Sequence, residues 1–290
     1  MRAVNNRGFT LVELSAALAL FGVVSAVAFR AMLVGQQAVE RHFAMADLSA
    51  STRTAMVIIP DELRGLNATD PLGGDIASAG PSSITYKALR SLYFVCRTPA
   101  AGSAEVVVAA RNWGGLRALD SQVDSVFIFA DGDPRTPEDD SWIRASVTGV
   151  APGAGCPGGN ASLTVSLSGV SEPGVRAVRA GAPVRGVEVH RLLLYRDRYG
   201  DFWMGASRYR KSGSGWTRTQ PVLGPLTETG LRFEYRDNSG ALVSNPSLVS
   251  RIDIKVVARS PRKLHLASGE VGFSVDSLST SVVLRNNTHF

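Results

Sequence analysis

The chain has 290 residues, of which 44% are hydrophobic and 19% charged, and its formal net charge is +6. This apolar share excludes a disordered chain, and a single bilayer-length apolar stretch excludes a polytopic transporter. Two cysteines exclude a disulfide-dense scaffold, and the length allows one or two domains with a substantial core.

The first predicted element is a membrane-spanning helix. Residues 1–8 are polar and carry two arginines, whereas the chain from Phe9 to Phe29 is apolar except for Glu13. Twenty-one helical residues span about 31 Å, which matches the hydrocarbon thickness of a bilayer. Because basic residues remain on the cytoplasmic side, the upstream arginines predict a cytoplasmic N-terminus and an exported remainder.

Glu13 is the one carboxylate in this apolar run, and it needs a partner. An ionised side chain there costs about 2–3 kcal/mol even on lenient insertion scales. Cleavage after Gly8 would create an α-amino group on Phe9, which could pair with Glu13 of its own helix or of a neighbouring one. The alternative is an uncleaved signal anchor in which Glu13 reaches the headgroups, and this leaves the Gly8–Phe9 boundary unexplained.

The run from Arg7 to Leu14, RGFTLVEL, resembles the processing signal of type IV prepilins and of the pseudopilins of type II secretion. The resemblance implies cleavage between Gly8 and Phe9 by a prepilin peptidase, followed by N-methylation of Phe9. It also implies that Glu13 neutralises the amine of an adjacent subunit and thereby sets the register of an assembly. Many major pilins have a helix-bending proline near the end of this segment, but no proline occurs here before Pro60.

Residues 30–66 are predicted to continue the same helix outside the membrane. Apolar side chains recur there at steps of three and four and form one stripe suited to packing on a sheet. Because proline lacks a backbone donor, we expect a kink or a restart near Ile59, just before Pro60. The run AMVIIPDELRGL resembles the end of the long helix in large minor pilins of the PilW type.

Residues 67–290 are predicted to form an antiparallel β domain, because turn-forming clusters separate short β-branched and aromatic runs. Residues 169–186 are an exposed connection and a candidate boundary between two halves of the sheet. The clearest predicted strands are Leu92–Val95, Glu105–Ala109, Ser125–Phe129, Leu163–Leu167, Val187–Tyr195, Phe202–Tyr209, Leu231–Tyr235, Ile252–Ala258 and Ser279–Leu284.

The C-terminal half carries a second, looser resemblance. The stretch from Pro221 to Gly240, the alternating strand that starts at Arg251 and the ending from Ser279 are similar to parts of PilW-like and J-type minor proteins. The predicted fold is therefore α+β and pilin-like, with a long N-terminal helix packed on a large antiparallel β domain. The predicted divisions are a leader (1–8), a membrane or filament-core helix (9–29), its soluble continuation (30–66) and the exported domain (67–290).

Catalytic motifs are missing from the sequence. The four histidines lie far apart, and neither a nucleophile elbow nor a phosphate loop occurs. The run from Gly153 to Gly158 spells G-x-G-x-x-G, but a dinucleotide site needs a helix to start there, and Pro157 and the strand that follows predict a loop instead. We therefore expect neither an enzyme nor a cofactor.

The acidic run from Asp131 to Asp140 offers the best metal candidate. Oxygen-rich turns suit Ca²⁺, with Asp131, Asp133 and Glu138 as candidate ligands. The spacing is not that of an EF-hand, and Arg135 and two prolines interrupt it. We therefore favour a solvated acidic turn without a metal.

The two cysteines, Cys96 and Cys156, belong to the exported part of the chain. In an oxidising compartment they could form a disulfide between a strand and the glycine-rich loop, and we favour this pairing. Two independent buried thiols are the alternative.

The segment 196–218 combines basic and aromatic side chains, which are used by proteins that bind single-stranded nucleic acid. Its members are Arg196, Arg198, Tyr199, Trp203, Arg208, Tyr209, Arg210, Lys211, Trp216 and Arg218. Alternation along hairpin strands gives the same pattern in an ordinary sheet, which we favour. Only four of the chain's 31 basic residues are lysine. A chain rich in arginine and poor in lysine more often reflects the base composition of its genome than a phosphate-binding surface.

These observations predict a minor type IV pilin that helps to start or cap pilus assembly. The resemblance implies that its partners are other minor and major pilins or pseudopilins, the prepilin peptidase, the inner-membrane assembly platform and lipid. It implies a single-pass inner-membrane protein with a periplasmic domain that reaches the cell surface when assembled. The alternatives are a J-type pseudopilin of type II secretion and a pilus-tip protein for DNA uptake or adhesion.

Overall fold

The computed structural model describes residues 10–68, 74–100, 102–133, 135–170, 175–266 and 269–285. The predicted processing residues Gly8 and Phe9 lie outside this described part of the chain. The described residues form one long helix followed by antiparallel β structure, which confirms the predicted α+β class. By their internal contacts they divide into two compact units.

Helix α1 runs from Leu11 to Arg64, a length of 54 residues. Of the kink or restart expected near Ile59, the restart is wrong, because α1 continues through Pro60. A proline inside a helix costs about 3 kcal/mol, and burial on both sides of it offsets this cost. Ile59 and Leu63 are almost completely buried, so packing holds the last turns in helical form.

The first unit combines α1 up to Ala50 with the segment Arg259–Val275. Within that segment β12 (Leu264–His265) pairs with β13 (Val271–Gly272) in an antiparallel hairpin. Leu48 and Leu264 are the buried apolar side chains of this unit among the residues described.

The second unit, Ser51–Ala258 with the chain from Asp276, contains the main sheet. Two short 3-10 turns, Pro137–Asp139 and Pro246–Leu248, interrupt its loops. The strands are β1 (Ile76–Gly80), β2 (Ser83–Arg97), β3 (Glu105–Ala109), β4 (Ser125–Ala130), β5 (Ser141–Pro152), β6 (Ser162–Ser168), β7 (Pro183–Arg196), β8 (Phe202–Arg210), β9 (Gly215–Trp216), β10 (Gln220–Arg236), β11 (Arg251–Arg259) and β14 (Val275–Val283).

Six strands of this sheet close into a ring. The pairing order is β2-β3-β6-β5-β4-β7, and the ring closes because β7 also pairs with β2 over a long antiparallel register. Buried side chains from these strands, such as Val95, Val106, Ile128, Val165 and Val184, form one apolar core. Closure removes two free edges, so these strands bury their apolar faces against one another.

The remaining strands extend the sheet from this ring. β8, β10, β11 and β14 follow β7 in that order, β9 pairs with β8, and β1 pairs with the first half of β2. β7 begins at Pro183, inside the segment 169–186 that we expected to be an exposed connection. Each of the nine predicted strands overlaps an observed one, whereas β1, β5, β9, β12 and β13 were not predicted.

A disulfide joins the end of β2 to the glycine-rich loop after β5. The Cα atoms of Cys96 and Cys156 are 5.5 Å apart, and the bond closes a sequence separation of 60 residues. The loop turns through Gly155, Gly158 and Gly159, whose positive φ angles suit glycine. The expectation of a loop here is confirmed, because the described residues 153–160 contain no helix.

Replacing both cysteines with serine should lower the free energy of unfolding by about 4 kcal/mol, because a closed loop of this length restricts the unfolded chain. Urea denaturation of the full chain in detergent would measure the loss. Reducing agent should destabilise the wild-type protein and leave the double variant unchanged. Equal stability of the two proteins under oxidising conditions would contradict this prediction.

Candidate functional site

The first thirty residues of α1 form an exposed and largely apolar surface. Every residue from Leu11 to Glu40 is exposed, and Leu11 is 83% exposed. Among the described residues, α1 is the one helix that is long and apolar enough to cross a membrane. Water does not solvate such a surface favourably, so α1 requires a lipid or protein partner along this length.

Glu13 lies in the first turn of this helix and forms a capping box with Thr10. The backbone N–H of Thr10 donates to Glu13 Oε2 at 3.0 Å, and the Thr10 hydroxyl donates to the same oxygen at 3.1 Å. In return, the N–H of Glu13 donates to Thr10 Oγ1 at 3.3 Å. This reciprocal pattern satisfies backbone donors that the first turn of a helix leaves free, and it places a negative charge at the positive helix end.

Two faces of α1 differ beyond the membrane-length segment. Phe29, Met32, Val39 and Phe43 recur at helical spacing and are all exposed, Phe43 by 69%. The covered face follows the stripe from Arg41 through Leu48 toward the helix end. An α-helix turns about 100° per residue, so these two stripes lie on roughly opposite sides. One side of α1 is therefore used within the chain, and the other remains available to a partner.

A comparison with family models identifies this segment. Residues 4–29 match the prokaryotic N-terminal methylation motif. The chain carries a type IV pilin-like prepilin signal. The match includes Gly8, Phe9 and Glu13, and it ends at the point where the apolar run ends. No curated protein and no solved structure matches the chain.

The prepilin signal and the apolar helix together indicate anchoring in a membrane by one helix. The motif supports a type IV pilin-like or pseudopilin-like protein, and it is shared by both groups. The resemblances to PilW-type and J-type proteins rest on parts of the chain outside the matched residues.

The second unit contains a cluster of charged side chains that the sequence analysis missed. Arg90 donates from Nη2 to Glu62 Oε1 at 2.7 Å and from Nε to Glu188 Oε2 at 3.3 Å. Arg117 bridges Glu188 at 3.0 Å and Asp124 at 2.6 Å. Because Glu62 lies in the last turns of α1, the cluster fixes the helix end to strands β2 and β7.

Glu188 is the centre of this cluster and is only 2% exposed. Burial raises its pKa, but hydrogen bonds from His190 and Arg117 outweigh burial and hold the pKa at about 2. A sequence signal for this cluster is the placement of Lys87 and Arg90 among the apolar residues of β2. Such charges in a strand interior need partners, because burying an unpaired charge is costly.

The acidic turn gathers a set of carboxylates that shares only Asp131 with the candidate Ca²⁺ ligands considered above. Asp131, Asp139 and Asp140 have oxygens within 4.8 Å of one another. Asp133 and Glu138 are not part of that group, and both accept local hydrogen bonds. Asp133 Oδ1 accepts from the backbone N–H of Arg135, and Glu138 accepts from the Thr136 hydroxyl.

Several basic and aromatic residues of segment 196–218 contact other parts of the chain. Lys211 donates its ammonium group to the carbonyls of Asp124 and Val147, and Trp203 donates to Asp197 Oδ2 at 3.1 Å. The guanidinium of Arg191 stacks on Trp216 at 4.3 Å. These contacts show that part of the pattern belongs to side-chain packing on β7, β8 and β9.

The ion cluster predicts a dependence of stability on pH. The pKa of Glu188 is lower in the folded chain than its ordinary value of 4.5, so ionised Glu188 stabilises the fold above about pH 4.5. This contribution, on the order of 3 kcal/mol, is lost as the pH falls from about 4.5 to 2. Chemical denaturation of the full chain across this range would measure it.

Glu188→Gln should lower the free energy of unfolding at neutral pH by about 3 kcal/mol, because it removes the carboxylate that Arg90 and Arg117 share and leaves each with one acidic partner. The variant should also flatten the acid dependence. Glu105→Gln, at an exposed carboxylate, is the matched control and should retain the wild-type profile. An unchanged acid profile in Glu188→Gln would contradict the role of this group.

Proposed function

We propose that this protein is a minor type IV pilin, a structural subunit that a prepilin peptidase processes and that helps to start or cap a pilus at its tip. The observation that carries the proposal is the combination of the prepilin signal with an apolar helix exposed from Leu11 to Glu40. Its role is architectural rather than catalytic.

The geometry of α1 supports this role in two steps. In the membrane, lipid covers the apolar surface, and the β domain lies outside the bilayer. In a filament, neighbouring helices replace the lipid, and the apolar stripe through Phe29, Met32, Val39 and Phe43 extends this contact beyond the membrane-length segment.

Glu13 supplies the register of that assembly. The capping box is centred on Oε2, and the other carboxylate oxygen takes no part in it. Removal of residues 1–8 would leave Thr10 in place, so the cap survives processing. The other oxygen can then accept a hydrogen bond from the methylated amine of Phe9 in a neighbouring subunit. If the two helices were shifted along their axes, the carboxylate and the amine would both be unpaired in an apolar setting.

A J-type pseudopilin of type II secretion is the second candidate, because pseudopilins share the same signal. It would use α1 in the same way, but it would belong to a secretion system and not to a pilus. Neighbouring genes separate the two: a retraction ATPase and a major pilin favour the pilus, and a secretin with other secretion genes favours the pseudopilin.

Processing can be tested by mass spectrometry of the N-terminal peptide of the membrane-extracted chain. We expect a chain that begins at Phe9 and carries an added methyl group. Gly8→Val should abolish cleavage completely, because the signal requires a small residue before the cut. Ala3→Val, inside the leader but away from the cut, is the control and should be processed normally. A wild-type chain that still begins at Met1 would refute the cleavage.

The register role can be tested by two substitutions at Glu13. Glu13→Val removes the cap and the charge, whereas Glu13→Gln keeps an acceptor for the cap and loses only the charge. Both should enter the membrane normally and show about tenfold less incorporation into sheared filaments, equivalent to about 1.4 kcal/mol of contact free energy. Immunoblots of the filament and membrane fractions would measure this ratio.

Asp47→Asn, at an exposed carboxylate on the same helix, should incorporate like the wild type. Normal incorporation of Glu13→Gln together with failure of Glu13→Val would show that incorporation needs the cap and not the charge pair. The register role of Glu13 would then be wrong.

A further inference from the structure

A cleft of about 570 Å³ opens beside the disulfide in the second unit, and the proposed function does not use it. We call it the disulfide cleft. Cys96 and Cys156 both line it, together with small apolar side chains such as those of Val95, Ala109 and Ala161. Sites for small ligands are usually about 300–1,000 Å³ in volume and mostly apolar, so this cleft has the size and the lining of such a site.

Trp113 also lines the disulfide cleft, and its position is fixed by the neighbouring strand. Its N–H donates to the Leu92 carbonyl at 2.8 Å, and Asn112 Oδ1 accepts from the N–H groups of Leu92 and Gly114 at 3.0 and 3.2 Å. The indole packs edge-on against Phe94, with the ring centroids 6.1 Å apart. Trp113 is still 54% exposed. A fixed but exposed indole offers apolar contact area to a ligand at little cost in conformational entropy.

Arg111 brings a positive charge to this side of the disulfide cleft. The central carbon of its guanidinium lies 3.9 Å from the centre of the Trp113 ring, a cation–π contact that orders the side chain. Arg111 is exposed, and its guanidinium forms no ion pair or hydrogen bond with the described residues. Its N–H donors are therefore available to a ligand.

The lining of the disulfide cleft favours a ligand that combines one negative charge with an apolar group. Among the described residues that line the cleft, Arg111 is the one with a charged side chain, and Asn160 adds an exposed amide. A guanidinium binds a carboxylate through two parallel N–H donors. The apolar lining gains free energy when it covers an apolar group, so a carboxylate beside such a group matches both parts of the cleft.

We propose that the disulfide cleft binds an apolar carboxylate, with its carboxylate on Arg111 and its apolar group against Trp113 and the disulfide. The C-terminal residue of a peptide and a free aromatic acid both present this chemistry. The disulfide keeps the glycine-rich loop at the end of β2, and the cleft lies where these two segments meet. The proposal is independent of pilus assembly, because every residue it uses belongs to the β domain.

Fluorine NMR offers a direct test, because the chain has four tryptophans and would show four resonances after labelling with fluorotryptophan. Trp113→Phe assigns the resonance of the cleft. The full chain in detergent would be titrated with N-acetylphenylalanine and with its amide, which lacks the carboxylate. We expect a saturable shift of the Trp113 resonance with the acid and about tenfold weaker binding of the amide, the loss expected for one charge-assisted pair.

A matched pair of arginine variants tests the contact itself. Arg111→Gln should weaken binding of the acid to the level of the amide, because it removes the charge. Arg198→Gln is the control, since Arg198 is also exposed and also stacks on an aromatic ring, that of Tyr199 at 4.6 Å, but does not line the cleft. This variant should bind the acid like the wild type.

A longer probe separates the two sources of the ligand. N-acetyl-Ala-Ala-Phe has the same C-terminal residue with two further residues before it. Tighter binding of this peptide than of N-acetylphenylalanine would identify a peptide C-terminus, and equal binding would identify a free aromatic acid.

Three results would overturn the proposal: equal binding of the acid and the amide, unchanged binding by Arg111→Gln, or the absence of a saturable shift at Trp113. Parallel shifts of all four resonances would also overturn it, since they would report partition of the probe into detergent. None of these results would affect processing at Gly8 or the role of Glu13, which are measured on N-terminal peptides and filaments.

Discussion

Water cannot favourably cover the apolar surface that α1 exposes from Leu11 to Val34, and this constraint determines how the rest of the chain is built. A helix of this kind is stable in lipid or against other helices. The β domain must therefore fold without drawing on it, and it does so through the closed ring of six strands and their shared core. The apolar helix surface and the core of the β domain therefore come from different parts of the sequence.

The end of α1 joins these two parts, and there the chain uses charge as well as apolar packing. Glu62 pairs with Arg90, whose other contact, Glu188, is buried in the sheet. A buried pair adds little net stability, but breaking it is costly, so such a cluster fixes one arrangement of helix and strands.

Local sequence patterns were sufficient for the helix and most strands. The 3.6-residue and two-residue periods depend on neighbouring positions alone, so they predicted α1 and nine strands. They allowed a restart at Pro60 that does not occur, because burial of Ile59 and Leu63 outweighs the local helix-breaking preference. They also missed β5, whose start at Ser141 follows directly on the acidic turn and lacks a clear apolar alternation.

The sequence by itself determined the prepilin signal, the apolar helix and the position of Glu13, because each is read from consecutive residues. Tertiary structure alone decided the ring closure between β2 and β7, the meeting of Arg90 with Glu188 and the contact of Arg262 with Glu40. These features join residues about 100 to 220 positions apart. Their pairing depends on the free energy of the whole fold, which no short window of sequence contains.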